Sequence, residues 1–191
     1  MIKTYTMIME ELGQYSAPEN KLSRMVKEGT YIPIVKGLYE TEKATSGYLL
    51  AGSIYGPSYL SFDFALSHYG LIPEAVYVFT SATFEKKKTK KYNTPFGVFT
   101  YRDIPSDAYP AGIRLEREGD YIYQIATPEK AICDKLYSVP PVNNKKELVS
   151  LLFDNLRMDE TEFAKLNKEY MLRLCELYHC SNLKILAKIM G

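Results

Sequence analysis

Residues 16–39 read SAPENKLSRMVKEGTYIPIVKGLY, and the reading of this stretch decides how the chain is organised. Ser16-Ala17-Pro18-Glu19 has the form of a helix start. Ser16 is placed to accept from the N–H of Glu19, and the Glu19 side chain to reach back to Ser16. Pro18 falls in the first turn, where its missing N–H costs nothing. Leu22, Met25 and Val26 recur at helical spacing and predict the buried stripe. Gly29 stands where a helix ends in a residue of positive φ. The other face carries Asn20, Lys21, Ser23, Arg24 and Lys27. Tyr31–Val35 and Leu38–Glu40 follow as two short strands, with Lys36-Gly37 at the turn. A short helix with a basic, amide-bearing outer face and a Lys-Gly hairpin tip is the equipment of a winged helix-turn-helix. The helix would lie in a major groove and Lys36 would touch a neighbouring phosphate. The plainer alternative is a surface helix whose charges only solvate it, and Glu19 and Glu28 dilute its basic character.

Working outward, Met1–Gln14 reads as a preceding helix with Ile2, Tyr5, Met9 and Leu12 on one side. Residues 40–47 contain no apolar side chain larger than alanine and read as a linker. This divides the chain into a winged helix over 1–44 and a mixed α/β body over 45–191 that ends in a helical bundle; the fold class is α+β. In the body, Tyr48–Tyr55 and Tyr59–Tyr69 read as helices, with Ser58 or Ser61 capping the second. Ala75–Thr80 and Gly97–Ile104 read as strands. Ile113–Arg117 and Tyr121–Ile125 flank Glu118-Gly119-Asp120 as a hairpin. Thr127-Pro128-Glu129 starts a helix with Thr127 as N-cap, and everything from Lys145 onward reads as helical.

Composition sets the outer limits. With 46% hydrophobic and 25% charged residues in 191, this is an ordinary globular composition. The net charge of +1 means that any nucleic-acid role must rest on local patches. No apolar run is long enough to span a bilayer, and the N-terminus lacks the apolar core of a secretory signal. Three cysteines in no paired framework suit a reducing, cytoplasmic setting.

Two longer segments carry a family resemblance. Residues 57–74, PSYLSFDFALSHYGLIPE, with the strand and Thr80-Ser81-Ala82-Thr83 after them, resemble the C-terminal domain of AbiEi-type antitoxins. Residues 123–137, YQIATPEKAICDKLY, are similar to that family's second signature, and Ile34–Tyr39 to the hairpin closing its winged helix. The resemblance implies a transcriptional regulator that is also the antitoxin of a type IV toxin–antitoxin pair. It further implies repression of its own operon through inverted repeats in double-stranded DNA. The functional partner would be an AbiEii-like nucleotidyltransferase toxin, opposed without a stable complex. This chain departs from that pattern in its compact N-terminal unit and the lack of strong net positive charge there.

The densest basic run is Lys86, Lys87, Lys88, Lys90 and Lys91, diluted by Glu85. It reads either as a second phosphate-contacting surface or as a solvated loop between strands. Other chemistries find less support. Asp63 after Gly52-Ser53 lacks the second carboxylate of a nucleotidyltransferase, since the position two residues on is Ala65. Glu85-Lys86-Lys87 fits a nuclease-like pattern but needs an Asp on a neighbouring strand. Cys175, His179 and Cys180 lack a fourth ligand for zinc, and Cys133 reads as a small core residue. The expectation is therefore a DNA-binding repressor and antitoxin, not an enzyme, with neither metal nor cofactor. Arg24, Lys27 and Asn20, with Ser23, would meet the major groove. Lys21 and Lys36 would meet phosphate, and Lys86–Lys91 would add an accessory surface. A protein-interaction module and a metal-dependent nuclease are the alternatives.

Overall fold

The computed structural model describes residues 1–191 and is a mixed α+β structure. Its first part runs β1 (Ile2–Thr4), α1 (Tyr5–Glu11), α2 (Pro18–Lys27), β2 (Ile32–Val35) and β3 (Leu38–Glu40). The three strands form one antiparallel sheet in the order β1-β3-β2. The hairpin falls where the sequence places it, and Gly29 and Gly37 take φ of +79° and +80°, which an L side chain resists.

The first helix is shorter than its apolar spacing predicts. Residues 2–4 are a strand, because Ile2, Lys3 and Thr4 pair with Glu40, Tyr39 and Leu38. Thr4 then caps α1 by accepting the Met7 N–H at 3.3 Å. Ile8 on this helix and Leu12 at its C-cap are buried, while Tyr5 stays exposed. The expected capping box on α2 is likewise absent. Ala17 is the N-cap residue, with no side-chain bond, and the Glu19 carboxylate instead receives the Tyr5 hydroxyl at 3.0 Å. Proline at the first helical position leaves one fewer N–H for a cap to satisfy.

Ile8, Leu12, Leu22 and Tyr31 form a small core between the two helices and the sheet. Ile34 belongs instead to the main core, with Ile2, Val35 and Leu38 packed against it. The first 40 residues are thus seated on the body. Residues 41–44 are exposed, but the ends of the connecting stretch are fixed. Glu40 is fully buried and accepts the Tyr121 hydroxyl at 2.9 Å. Gly47 sits so close to Phe79 that a Cβ there would lie 2.2 Å from the ring.

The body continues with a 3-10 turn (Gly47–Leu50), α3 (Ala51–Ile54), β4 (Tyr59–Leu60), α4 (Phe62–His68), β5 (Val78–Thr83), β6 (Lys90–Thr94) and β7 (Gly97–Asp103). The hairpin β8 (Ile113–Glu118) and β9 (Tyr121–Ala126) leads into α5 (Pro128–Ser138). The remainder is helical: α6 (Lys145–Ser150), a π-helical turn (Leu151–Asn155), α7 (Glu160–Ala164), α8 (Lys168–Glu176) and α9 (Ser181–Met190). Six strands form one mixed sheet in the order β6-β7-β5-β4-β9-β8. Tyr59–Leu60 is a strand and not the start of a helix, because it fills the slot between β5 and β9. Ser61 stands at the N-cap of α4 but makes no side-chain capping bond, since its Oγ donates to Asp134, while Ser58 Oγ donates to Tyr55 O. Thr127 does cap α5, accepting from Lys130 N at 3.3 Å. Cys133 is fully buried in the core against Met171. No helix is long and apolar enough to cross a membrane.

Candidate nucleic-acid interface

At 3.6 residues per turn, positions i, i+3, i+4 and i+7 share one helix face. Asn20, Ser23, Arg24 and Lys27 stand in that relation on α2, and all four are exposed. Leu22, on the opposite face, is buried and holds the helix down. Lys21 lies on the flank, half-buried, with its ammonium 5.4 Å from the Tyr15 ring centroid. Ser23 Oγ donates to Glu19 O at 3.0 Å, which leaves its lone pairs able to accept.

The charge balance of this unit is uneven in space. Residues 1–44 hold six basic and six acidic side chains. Glu11 is bound by Lys3 at 2.7 Å and by the Tyr31 hydroxyl at 3.0 Å. Glu40 is buried with its partners, and Glu19 is engaged by Tyr5. Lys21, Arg24, Lys27 and Lys36 enter no ion pair. Glu10, Glu28 and Glu42 are likewise exposed and enter no ion pair, and Glu19 keeps its charge, so the positive character is confined to the Arg24–Lys27 face of α2 and to Lys36, with Glu19 and Glu28 on its flanks. Arg24 and Lys27 also sit in the last turn of α2, where cations favour the helix dipole by about 0.3–1 kcal/mol. That term accounts for a cation at the helix end but not for Lys21 or for Lys36.

Lys36 is exposed at the hairpin tip, and Gly37 O accepts the Tyr5 N–H at 2.9 Å, which ties the tip to the start of α1. A bulge between Pro33 and Val35 turns the hairpin. An open groove separates α2 from the hairpin, with Ser23 and Lys27 on one wall and Pro33 and Tyr39 on the other.

The lysine run does not form one patch. Lys86 is turned onto the body, donating to Gly56 O at 3.1 Å with its ammonium over the Tyr55 ring. The Lys87 N–H donates to Asp103 Oδ2 at 2.6 Å. Lys87, Lys88 and Lys91 are exposed, while Lys90 is half-buried. Lys90 and Lys91 lie in β6 and not in a loop, so their side chains leave opposite faces of the sheet. Since β6 lies against β2, this strand borders the hairpin.

Asp103 is the strand carboxylate nearest the Glu85-Lys86-Lys87 pattern. Its other oxygen takes the Thr83 hydroxyl at 2.6 Å, so both oxygens brace the turn. Nowhere do three His, Cys, Asp or Glu side chains converge as a metal site.

A second cluster lies within the body, with little trace in the sequence. Lys130 and Asp134, one turn apart on α5, are both fully buried and lie 3.4 Å apart. Asp134 accepts from Tyr59 at 2.9 Å, Ser61 at 2.6 Å and Tyr178 at 2.5 Å. Lys130 donates to Ala108 O at 2.6 Å and to the Tyr178 oxygen at 2.5 Å. Burial pulls the Lys130 ammonium below its ordinary pKa, against the opposing pull of Asp134. Burial, then the Asp134 charge, pushes the Tyr59 and Tyr178 phenols well above theirs. Perturbed groups in a cleft suggest catalysis, but these are sealed: none of the five side chains, Tyr59, Ser61, Lys130, Asp134 and Tyr178, is more than 1% exposed, so no substrate reaches them. The cluster is internal scaffolding. Its signal in the sequence was a Lys and an Asp at i, i+4 among Ala, Ile, Cys and Leu.

No protein-family model matches the chain, and no curated protein matches it in sequence. Among solved structures, the chain is similar to the RV2827C protein from Mycobacterium tuberculosis, whose crystal structure aligns over 100% of this chain and 72% of that one. The TM-score is 0.63 at 17% sequence identity, a likeness of fold alone.

Proposed function

We propose that the chain is a DNA-binding transcriptional repressor that serves as the antitoxin of a type IV toxin–antitoxin pair. In this reading residues 1–44 are a compact winged helix whose α2 enters the major groove. Arg24, Lys27 and Asn20 meet bases or grip the groove wall, with Ser23 beside them. Lys21 and Lys36 hold phosphates on either side. Lys87, Lys88 and Lys91 are the members of the lysine run best placed to extend the surface, with Lys86 and Lys90 behind them.

The observation that carries the reading is the exposed, unpaired face of α2 beside a hairpin with a lysine at its tip. The antitoxin role, opposed to an AbiEii-like toxin without a stable complex, rests on the resemblance of residues 57–83 and 123–137. The test is fluorescence anisotropy with the duplex upstream of the protein's own gene, beside a scrambled duplex, at several salt concentrations. Tight binding to the first alone, lost in an Arg24→Ala/Lys27→Ala variant of unchanged circular dichroism, is the expected result. Equal weak binding to both duplexes, or unchanged affinity in the double variant, would overturn the DNA reading.

A further inference from the structure

We infer that strand β8 is a self-pairing edge, and that the partner it takes is a second copy of this chain in antiparallel alignment. β8 is an outer strand of the six-stranded sheet. No turn or loop hydrogen bond covers its outer edge over residues 113–118. Leu115 is 68% exposed and Ile122 on the neighbouring strand 62%. Because Leu115 pairs with Gln124 and Arg117 with Ile122, these two apolar side chains rise from the same face of the hairpin.

The sequence Ile113-Arg114-Leu115-Glu116-Arg117 reverses its charge about Leu115. Placing a two-fold axis through Leu115 sets each Leu115 opposite its counterpart. Arg114 of each copy then faces Glu116 of the other, twice over. Neither side chain enters an ion pair within its own chain. Charges on an edge strand commonly guard it against pairing, most directly where a run of one sign repels its own image. Here the image attracts. An interface of this isologous kind uses one patch on both copies and joins the two sheets into a single twelve-stranded one. Five residues of each strand, 113–117, pair about Leu115, and with the two facing leucines they make a small contact, with dissociation in roughly the micromolar range.

The pairing goes beyond the DNA reading and is tested without DNA, so the failure of one leaves the other to its own experiment. Sedimentation equilibrium of the full chain from about 1 to about 200 μM spans that range. The expected mass rises with concentration from 21.9 kDa toward twice that value. Arg114→Glu or Glu116→Arg sets like charges opposite each other at two places and weakens the dimer by about tenfold. The combined swap Arg114→Glu/Glu116→Arg restores the pairing. A monomer throughout the range would overturn the inference. So would a dimer indifferent to either single reversal, or a double swap that fails to restore it while circular dichroism reports an intact fold.

Discussion

Replacing Asp134 by Asn tests how the body is held together. The buried carboxylate takes three hydroxyl donors and faces the Lys130 ammonium at 3.4 Å. Asn keeps the shape and one acceptor oxygen but removes the charge. Lys130 would then be left with only Ala108 O and the Tyr178 oxygen. Stranding one partner of a buried pair costs about 3–5 kcal/mol, a fifth or more of the roughly 5–15 kcal/mol that holds a domain folded. Lys130→Met is expected to cost less, since Asp134 keeps its three hydroxyl donors. The double variant should fall short of the sum of the two, because the charge stranded by one change is removed by the other.

The Asp134→Asn deficit should also shrink as pH rises. Burial already holds the Lys130 pKa below its ordinary value, and Asp134 is the main influence raising it. Without the carboxylate, the folded state sheds the Lys130 proton at lower pH than the unfolded state does. Between those two values the unfolded chain binds more protons, so stability climbs with pH. Urea titrations followed by far-UV circular dichroism at neutral and alkaline pH measure all of this. A change below about 1 kcal/mol for Asp134→Asn, or strict additivity in the double variant, would refute the reasoning.

Further outcomes follow from particular contacts. Lys36→Ala should make the salt dependence of DNA binding shallower by about one unit of slope, if the hairpin lysine neutralises one phosphate; anisotropy across a salt series reads it, and an unchanged slope removes Lys36 from the interface. Burial raises the Glu40 pKa, but the terminal ammonium, Tyr121 and the N–H groups of Thr41 and Glu42 outweigh it and hold the carboxyl below its ordinary value. Its contribution is therefore complete at neutral pH and is lost as pH falls through that lowered pKa. Amide signals of β1 and β3 should broaden on acidification before those of the body, and Glu40→Gln should abolish that difference; identical acid profiles would count against the role. Gly112 has φ of +72°, and a Cβ there would lie 2.8 Å from Lys130 Cβ. Gly112→Ala should accordingly cost about 1–3 kcal/mol in a thermal melt, and an unchanged melting temperature would mean that the backbone relaxes.

What could be read in the sequence was local. Gly29 announces its positive φ, Lys36-Gly37 announces a turn, Thr127-Pro128 announces a helix start, and 113–125 announces a hairpin. What escaped depends on distant partners. Residues 2–4 carry helical spacing, yet they are a strand because β3, more than thirty positions on, offers an edge. Tyr59–Leu60 is a strand only because β5 and β9 flank it. Glu40 read as the start of a linker, and its burial became visible only with Tyr121 beside it. In the candidate interface, the face of α2 was legible from spacing. The scattering of the lysine run was not, since it depends on where Gly56, Tyr55 and Asp103 lie.

The seating of the first 40 residues on the body has a mechanical consequence. With Ile34 in the main core, β2 against β6 and Glu40 hydrogen-bonded to Tyr121, the α2 helix does not hang on a tether, and under the proposed DNA reading it would have no free swing with which to find a groove. Two such molecules joined rigidly would act as a ruler. Each base pair inserted between half-sites turns the second one by roughly 35° and carries it about 3.4 Å away. A hinged reader would absorb that error, whereas this frame would feel it at once. The spacing of an operator would then be written in the packing of the protein and not in the length of a linker.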